Sequence, residues 1–127
     1  MIREEVISVT TTGSDAAATG TGYSKAAIVG RILALRLNYH ASAPGTTDVT
    51  ITENDSVAQT IHTETDSATD VVRYPRRAVE DNAEATVEYS NNYSIYEPYV
   101  TTNQIKVAVA GANALTACVV VSVIYEV

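Results

Sequence analysis

Residues 30–40, Gly-Arg-Ile-Leu-Ala-Leu-Arg-Leu-Asn-Tyr-His, decide the fold class. Read with a period of two, Arg31, Leu33, Leu35, Leu37 and Tyr39 share one face, and Ile32, Ala34, Arg36, Asn38 and His40 share the other. Ala, Leu and Arg are also good helix formers, so a helix over Lys25 to Leu37 competes with this reading. The alternation from Leu33 to Tyr39, followed by a turn around Pro44-Gly45, favours a long strand.

Working outward from that strand, the same pattern recurs. On the N-terminal side, Gly13 to Gly22 is small and polar and reads as a flexible surface loop. Val6 to Thr10 reads as a first strand, and residues 1–5 before it as a candidate flexible arm. On the C-terminal side, Asp48 to Thr52 alternates strictly, and Val57 to His62 places Val57 and Ile61 on one face. Asp70 to Tyr74 is a short strand stopped by Pro75, which cannot donate to a ladder. Ala83 to Tyr89 alternates, Asn91-Asn92 turns, and Tyr93 to Val100, broken by Pro98, is an edge strand or an ordered loop. Ile105, Val107 and Val109 alternate, and Leu115 to Val127 closes the chain as a long strand. Val and Thr are stiff at Cβ and suit the pleated sheet. The expectation is one all-β domain over 1–127, an antiparallel β-sandwich or jelly roll of about eight strands.

The last strand adds a constraint. Val119, Val121, Val123 and Tyr125 lie on one face, but Val120 and Ile124 occupy the other. A half-exposed antiparallel strand carries polar residues on one side. Apolar residues on both sides predict either a central strand inside the sandwich or burial against a neighbouring subunit.

Composition narrows the function. The chain has 127 residues, 8 Lys+Arg against 15 Asp+Glu, and a formal charge of −7. Such a surface repels phosphate backbones, so direct binding to nucleic acid is not expected. No apolar run approaches the ~20 residues of a membrane span, and Met1-Ile-Arg-Glu-Glu does not read as a signal peptide. The single cysteine, Cys118, cannot make an intrachain disulfide and, flanked by Ala117 and Val119, reads as a buried thiol. With 8 Tyr, no Phe and no Trp, the core must be built from Val, Ala, Leu and Ile.

No catalytic constellation can be assembled. His40 and His62 are the only histidines, each read as a surface or strand-end residue, and no nucleophile–base pair, phosphate loop or zinc pattern accompanies them. No cofactor is expected. Asp48, Glu53, Asp55, Glu64, Asp66 and Asp70 crowd the predicted turns; they read as a solvated acidic rim, with calcium as the alternative. Two segments remain as partner contacts. Arg73, Arg76 and Arg77 flank Tyr74-Pro75, and arginine forks fit carboxylates of the same chain, a neighbour or an external partner. Tyr89, Tyr93, Tyr96 and Tyr99 cluster beside Asn91, Asn92 and Pro98, and tyrosine gives contact area at low entropic cost. The same tyrosines could instead lid an aromatic-poor core.

The order of these features resembles the small virion structural proteins of tailed bacteriophages. The resemblance is carried by the strand Gly30 to His40, the Pro-Gly turn, Thr46 to Ile51 (Thr-Thr-Asp-Val-Thr-Ile), Tyr74-Pro75-Arg76 and the C-terminal Val-Ile-Tyr-Glu-Val. It implies a non-enzymatic β-sandwich or jelly roll, a homotrimeric capsid decoration or cement protein. Such a protein is made in the host cytoplasm, binds the major capsid protein on the outer head surface and stabilises the shell. A tail, baseplate or fibre component binding a host-surface carbohydrate or another virion protein is the alternative.

Overall fold

The computed structural model describes residues 1–127 and contains thirteen strands and no helix. Eight strands build the body: β1 (Ile2–Val9), β2 (Ala18–Tyr23), β3 (Gly30–Tyr39), β4 (Asp48–Glu53), β5 (Thr60–Glu64), β6 (Val71–Arg73), β12 (Ile105–Ala112) and β13 (Val119–Glu126). Five short ones lie between β6 and β12: β7 (Arg76–Ala78), β8 (Glu88–Ser90), β9 (Tyr93–Ser94), β10 (Tyr96–Pro98) and β11 (Val100–Thr101).

The body is two antiparallel sheets. One runs β1-β13-β3, with β6 and β11 both on the far edge of β3; the other runs β2-β12-β4-β5. Among the eight body strands, first pairs with last, second with seventh, third with sixth and fourth with fifth. The chain is thus a long hairpin folded over on itself, and the two sheet orders are those of a jelly roll. This is the all-β sandwich expected from the alternating segments.

Inward-facing residues of both sheets make one core. Val119, Val121 and Val123 from β13 meet Leu35, Leu37 and Tyr39 from β3 and Ile7 and Val9 from β1. Opposite them lie Val49 and Ile51, Ile61, and Ile105, Val107 and Val109. Burying a Val, Leu or Ile side chain is worth roughly 1.5–3 kcal/mol, so this layer outweighs any surface interaction in the molecule. β13 takes a central slot between β1 and β3, with Val119, Val121 and Val123 buried on its inner face and Val120 and Ile124 half-buried on its outer face.

Several expectations are corrected. On β3 the simple alternation fails at Leu33. Ile32 pairs with Tyr125 and Ala34 with Ile124, so Leu33 is an extra residue, a bulge that resets the face. Ile32 therefore joins Leu35, Leu37 and Tyr39 in the core, while Arg31 is exposed. Residues 1–5 are not an arm: from Ile2 onward they pair in register with β13, and Val127 N–H donates to the Met1 carbonyl. Gly13 to Gly22 is not all loop, because β2 begins at Ala18 and pairs with β12, after a bridge between Thr12 and Thr19. Its glycines hid that strand. A Cβ on Gly20 would overlap the Thr10 carbonyl, so β2 can lie against the chain leaving β1 only without a side chain there. Val57 is not on a strand face; it is exposed, and β5 starts at Thr60. Ala83 to Tyr89 contributes only the start of β8 and a bridge between Glu80 and Thr86.

Gly30 begins β3 with φ 149°, and a Cβ there would overlap the Glu126 carbonyl. Gly45 has open space around it. Gly30→Ala is therefore expected to cost about 1–3 kcal/mol, whereas Gly45→Ala leaves stability unchanged or slightly raised. Urea unfolding followed by circular dichroism checks both; equal midpoints would mean that β3 and β13 can part at Gly30 without loss.

Candidate functional site

Arg73, the last residue of β6, sits at the open edge of the sandwich, facing β5 of the other sheet. Its Nε donates to Glu64 Oε1, and the same carboxylate oxygen lies 3.2 Å from His62 Nε2. The clasp therefore ties the two sheets together where no strand joins them. Arg73 and His62 hold the Glu64 carboxyl below its ordinary value of 4.5, the hydrogen bond from Arg73 being the largest cause. Beneath it lies Tyr39, 6% exposed, whose hydroxyl has no hydrogen-bond partner. Burial and, next, the Glu64 charge push that phenol up to about 12. Asp70 closes the edge by accepting from the Tyr39 backbone N–H at 2.8 Å. Outside this cluster is a shallow depression of about 340 Å³ lined by Arg36, Leu37, Asn38, Asp70, Val71 and Val72.

The other two arginines are also tied to their own chain. Arg76 donates to the carbonyls of Leu33 and Pro75 at 3.2 and 2.8 Å, fixing the root of the next segment to β3. Arg77 pairs with Glu97 across the β7–β10 ladder at 3.8 Å.

From that root residues 76–98 project as an arm. β7 pairs with β10, β8 with β9, and a further hairpin is closed by Asp81 N–H to the Ala85 carbonyl. Three backbone hydrogen bonds lock the pieces in a ring: Val79 N–H donates to the Ile95 carbonyl, Ile95 to Val87, and Val87 to Val79. Val79 and Val87 are only half-buried and Ile95 is exposed, so the arm has hydrogen bonds but hardly any core. Two-stranded ribbons without a packed face are marginal in water. Its tyrosines face outward: Tyr89 is 71% exposed, Tyr96 63% and Tyr93 60%, with Tyr74 exposed at the root. The rings of Tyr89 and Tyr93 lie 5.8 Å apart, tilted by 33°.

The structure places Tyr93 and Tyr96 with Tyr89 on the arm, where only Tyr89 and Tyr93 are ring neighbours, and leaves Tyr74 exposed just before it. It separates Tyr99, which is half-buried against the core and whose carbonyl accepts from Ile32 N–H. The signal for the arm was in the sequence: Asn91-Asn92, with Asn92 at φ 65°, is the turn of the β8–β9 hairpin. The Glu64 partner of Arg73 could not be read, because it depends on which sheet edges meet.

The acidic residues of the rim are dispersed. Asp48 accepts from Asp66 N–H, Glu53 and Asp55 share the Asn103 amide, and Glu64 belongs to Arg73. No three carboxylate, His or Cys groups are placed to hold a metal ion. His40 accepts from Ser42 N–H, and Cys118 is buried.

Comparison with protein-family models and with curated protein sequences returns no match. Among solved structures, the chain is similar to two variants of the family 29 carbohydrate-binding module CBM29-2. Each is 10% identical over 98% of this chain and 81% of that one, with TM-scores of 0.40 and 0.39. A further variant of a family 29 module is 11% identical over 98% and 79%, with a TM-score of 0.40. The sandwich assignment rests on the chain's own strand pairing.

Two outcomes follow from the clasp. With the Glu64 pKa lowered on folding, the unfolded chain binds more protons between that value and 4.5. The stabilisation is complete above about pH 4.5 and is lost as pH falls through the lowered value. Glu64→Gln should unfold at lower urea than the parent at pH 7, and the two curves should converge in acid; a constant gap would remove the charge from the explanation. Tyr39→Phe deletes a buried hydroxyl without a partner and should leave the thermal midpoint unchanged or raised. A loss above about 1 kcal/mol would mean that the hydroxyl is satisfied, for instance by a buried water.

Proposed function

We propose that this chain is a non-enzymatic virion structural protein of a tailed bacteriophage, a decoration or cement protein that binds the outer head surface and stabilises the shell. The observation that carries the reading is the arm: residues 76–98 leave a rigid body, bury little of their own and present three tyrosines to solvent, with Tyr74 at the root. A segment of this composition gains most when it docks against another surface. The jelly-roll strand order supports the same reading at the level of fold analogy, since viral capsid domains use it, as do lectins. The Tyr-Pro-Arg element quoted for the phage resemblance forms the arm's root, where Pro75 is buried and Arg76 holds β3. In this reading the partner is the major capsid protein, the working form is a homotrimer, and the site of action is the phage head, reached after assembly in the host cytoplasm.

A second reading, a tail or fibre module binding host-surface carbohydrate, is favoured by one observation. The exposed Tyr89 and Tyr93 rings sit beside Glu88, Asn91 and Asn92, an aromatic face next to groups that can hydrogen-bond sugar hydroxyls.

Cosedimentation of the purified protein with phage heads lacking it distinguishes the two. Saturation at a fixed ratio to the capsid subunit is the expected result. Heads that stay bare, together with a reproducible hit on a glycan array, would replace the first reading by the second.

A further inference from the structure

The two outer faces of the sandwich differ in chemistry. Across the β2-β12-β4-β5 sheet one outward row reads Thr21, Ala108, Thr50 and Thr63, and the next begins Tyr23, Lys106 and Thr52. Tyr23 is the one large apolar side chain among them. The outer face of the β1-β13-β3 sheet is aliphatic instead. Strand alternation and register put Ile2, Val6, Val72, Val100, Val120 and Ile124 there, with Ile7, Val121 and Val123 on the inner face. Ile2 is 65% exposed, Val100 59%, Val6 51% and Val72 43%, so this surface is left open to solvent. Apolar side chains standing together on a solvent face mark a contact surface.

Two ion pairs lie within this aliphatic face. Glu126 on β13 holds Arg31 on β3 at 2.8 Å. Glu4 on β1 lies 3.7 Å from Arg36 on β3, so that pair reaches across β13, and both of its side chains stay largely in water. The outward rows of β1, β13 and β3 thus hold two charges of each sign, in a chain with 8 basic and 15 acidic residues. Asp70, at the margin beside Arg36, turns its carboxylate to the Tyr39 N–H. Two copies with a formal charge of −7 repel one another over the rest of their surface. Over these rows the charges balance.

We propose that the outer face of the β1-β13-β3 sheet packs against the same face of a second copy about a two-fold axis. The inference goes beyond the phage reading and uses none of it; the contact is separate from the homotrimer of that reading. A face that carries both signs of charge among aliphatic side chains is complementary to itself, as an isologous contact requires. Glu4 of one copy meets Arg36 of the other, and the reverse, so the contact covers neither charge without a partner, which would be costly. Removing the exposed Ile2, Val6, Val72 and Val100 side chains from water supplies the driving force. With alternate residues ~7 Å apart along a strand and strands ~4.8 Å apart, the face measures roughly 500 Å² on each copy. The pair then buries about 1,000 Å², the lower bound of a specific interface, so the dimer is weak and reversible.

Sedimentation velocity of the full chain from about 1 to 300 μM is the first test, and reversible self-association within that range is expected. A chain that stays monomeric throughout overturns the proposal. Val6→Glu with Val72→Glu, both at exposed positions, should weaken the association at least about tenfold. Thr21→Glu with Thr63→Glu adds the same charge to the other outer face and should leave it within about twofold. Association that both pairs of substitutions weaken equally, or that neither weakens, overturns the proposal. The exchange of ion-pair partners is tested by Arg36→Glu in one protein and Glu4→Arg in another. Each should lose self-association, because its face then carries an excess of one sign, and an equimolar mixture should recover it as a mixed dimer. Failure of the mixture to associate, with each variant folded by circular dichroism, also overturns the proposal.

Discussion

The slot occupied by β13 between β1 and β3 is the constraint on which the rest depends. Val119, Val121 and Val123 are fully buried there, and their backbone is paired on both sides. Filling that slot brings the two ends of the chain together, since β1 is the first strand and β13 the last. Once they pair, β2 and β12, β3 and β6, and β4 and β5 can nest inside, each pair closer in sequence than the one outside it. The outermost pairings span almost the whole chain, and loop closure of that length carries a large entropic cost before any contact repays it. The dense Val and Ile usage of the last strand is what offsets it.

Jelly-roll closure leaves two seams, and the chain treats them differently. At the β1–β2 seam the sheets come together through absence: Gly20 faces the Thr10 carbonyl, which a Cβ there would overlap. At the β5–β6 seam they are held by charge, with Arg73, Glu64 and His62 spanning the gap above the unpartnered Tyr39 hydroxyl. The second seam depends on pH, because its central carboxylate has to stay ionised to hold Arg73.

The fold class was legible because period-two alternation is a local property, and β4, β13, Leu35 to Tyr39 of β3 and Ile105 to Val109 of β12 are each buried on one regular face. It failed where geometry is non-local or where glycine removes the signal. The Leu33 bulge cannot be seen in a sequence that alternates without interruption from Arg31 to Tyr39. β2 was hidden because the residues that let it touch β1 are those that also mark loops. At the candidate site the tyrosines and arginines were visible as clusters, but their separation was not. Arg73, Arg76 and Arg77 turn back onto the chain while Tyr74, Tyr93 and Tyr96 turn outward, and only the pairing of β6 with β3 and of β7 with β10 decides this.

The arm also has a physical logic that the body lacks. A ring of three backbone hydrogen bonds among Val79, Val87 and Ile95 fixes its shape, but each such bond contributes only about 1 kcal/mol net against the ordering of more than one residue. The exposed tyrosines add nothing to that balance while they face water. The arm thus holds its tyrosines in place with little burial of its own, so a surface docked against it would cover the rings and add the burial it lacks. Buried valine builds the body, whereas residues 76–98 are held by backbone pairing and leave their tyrosines facing water.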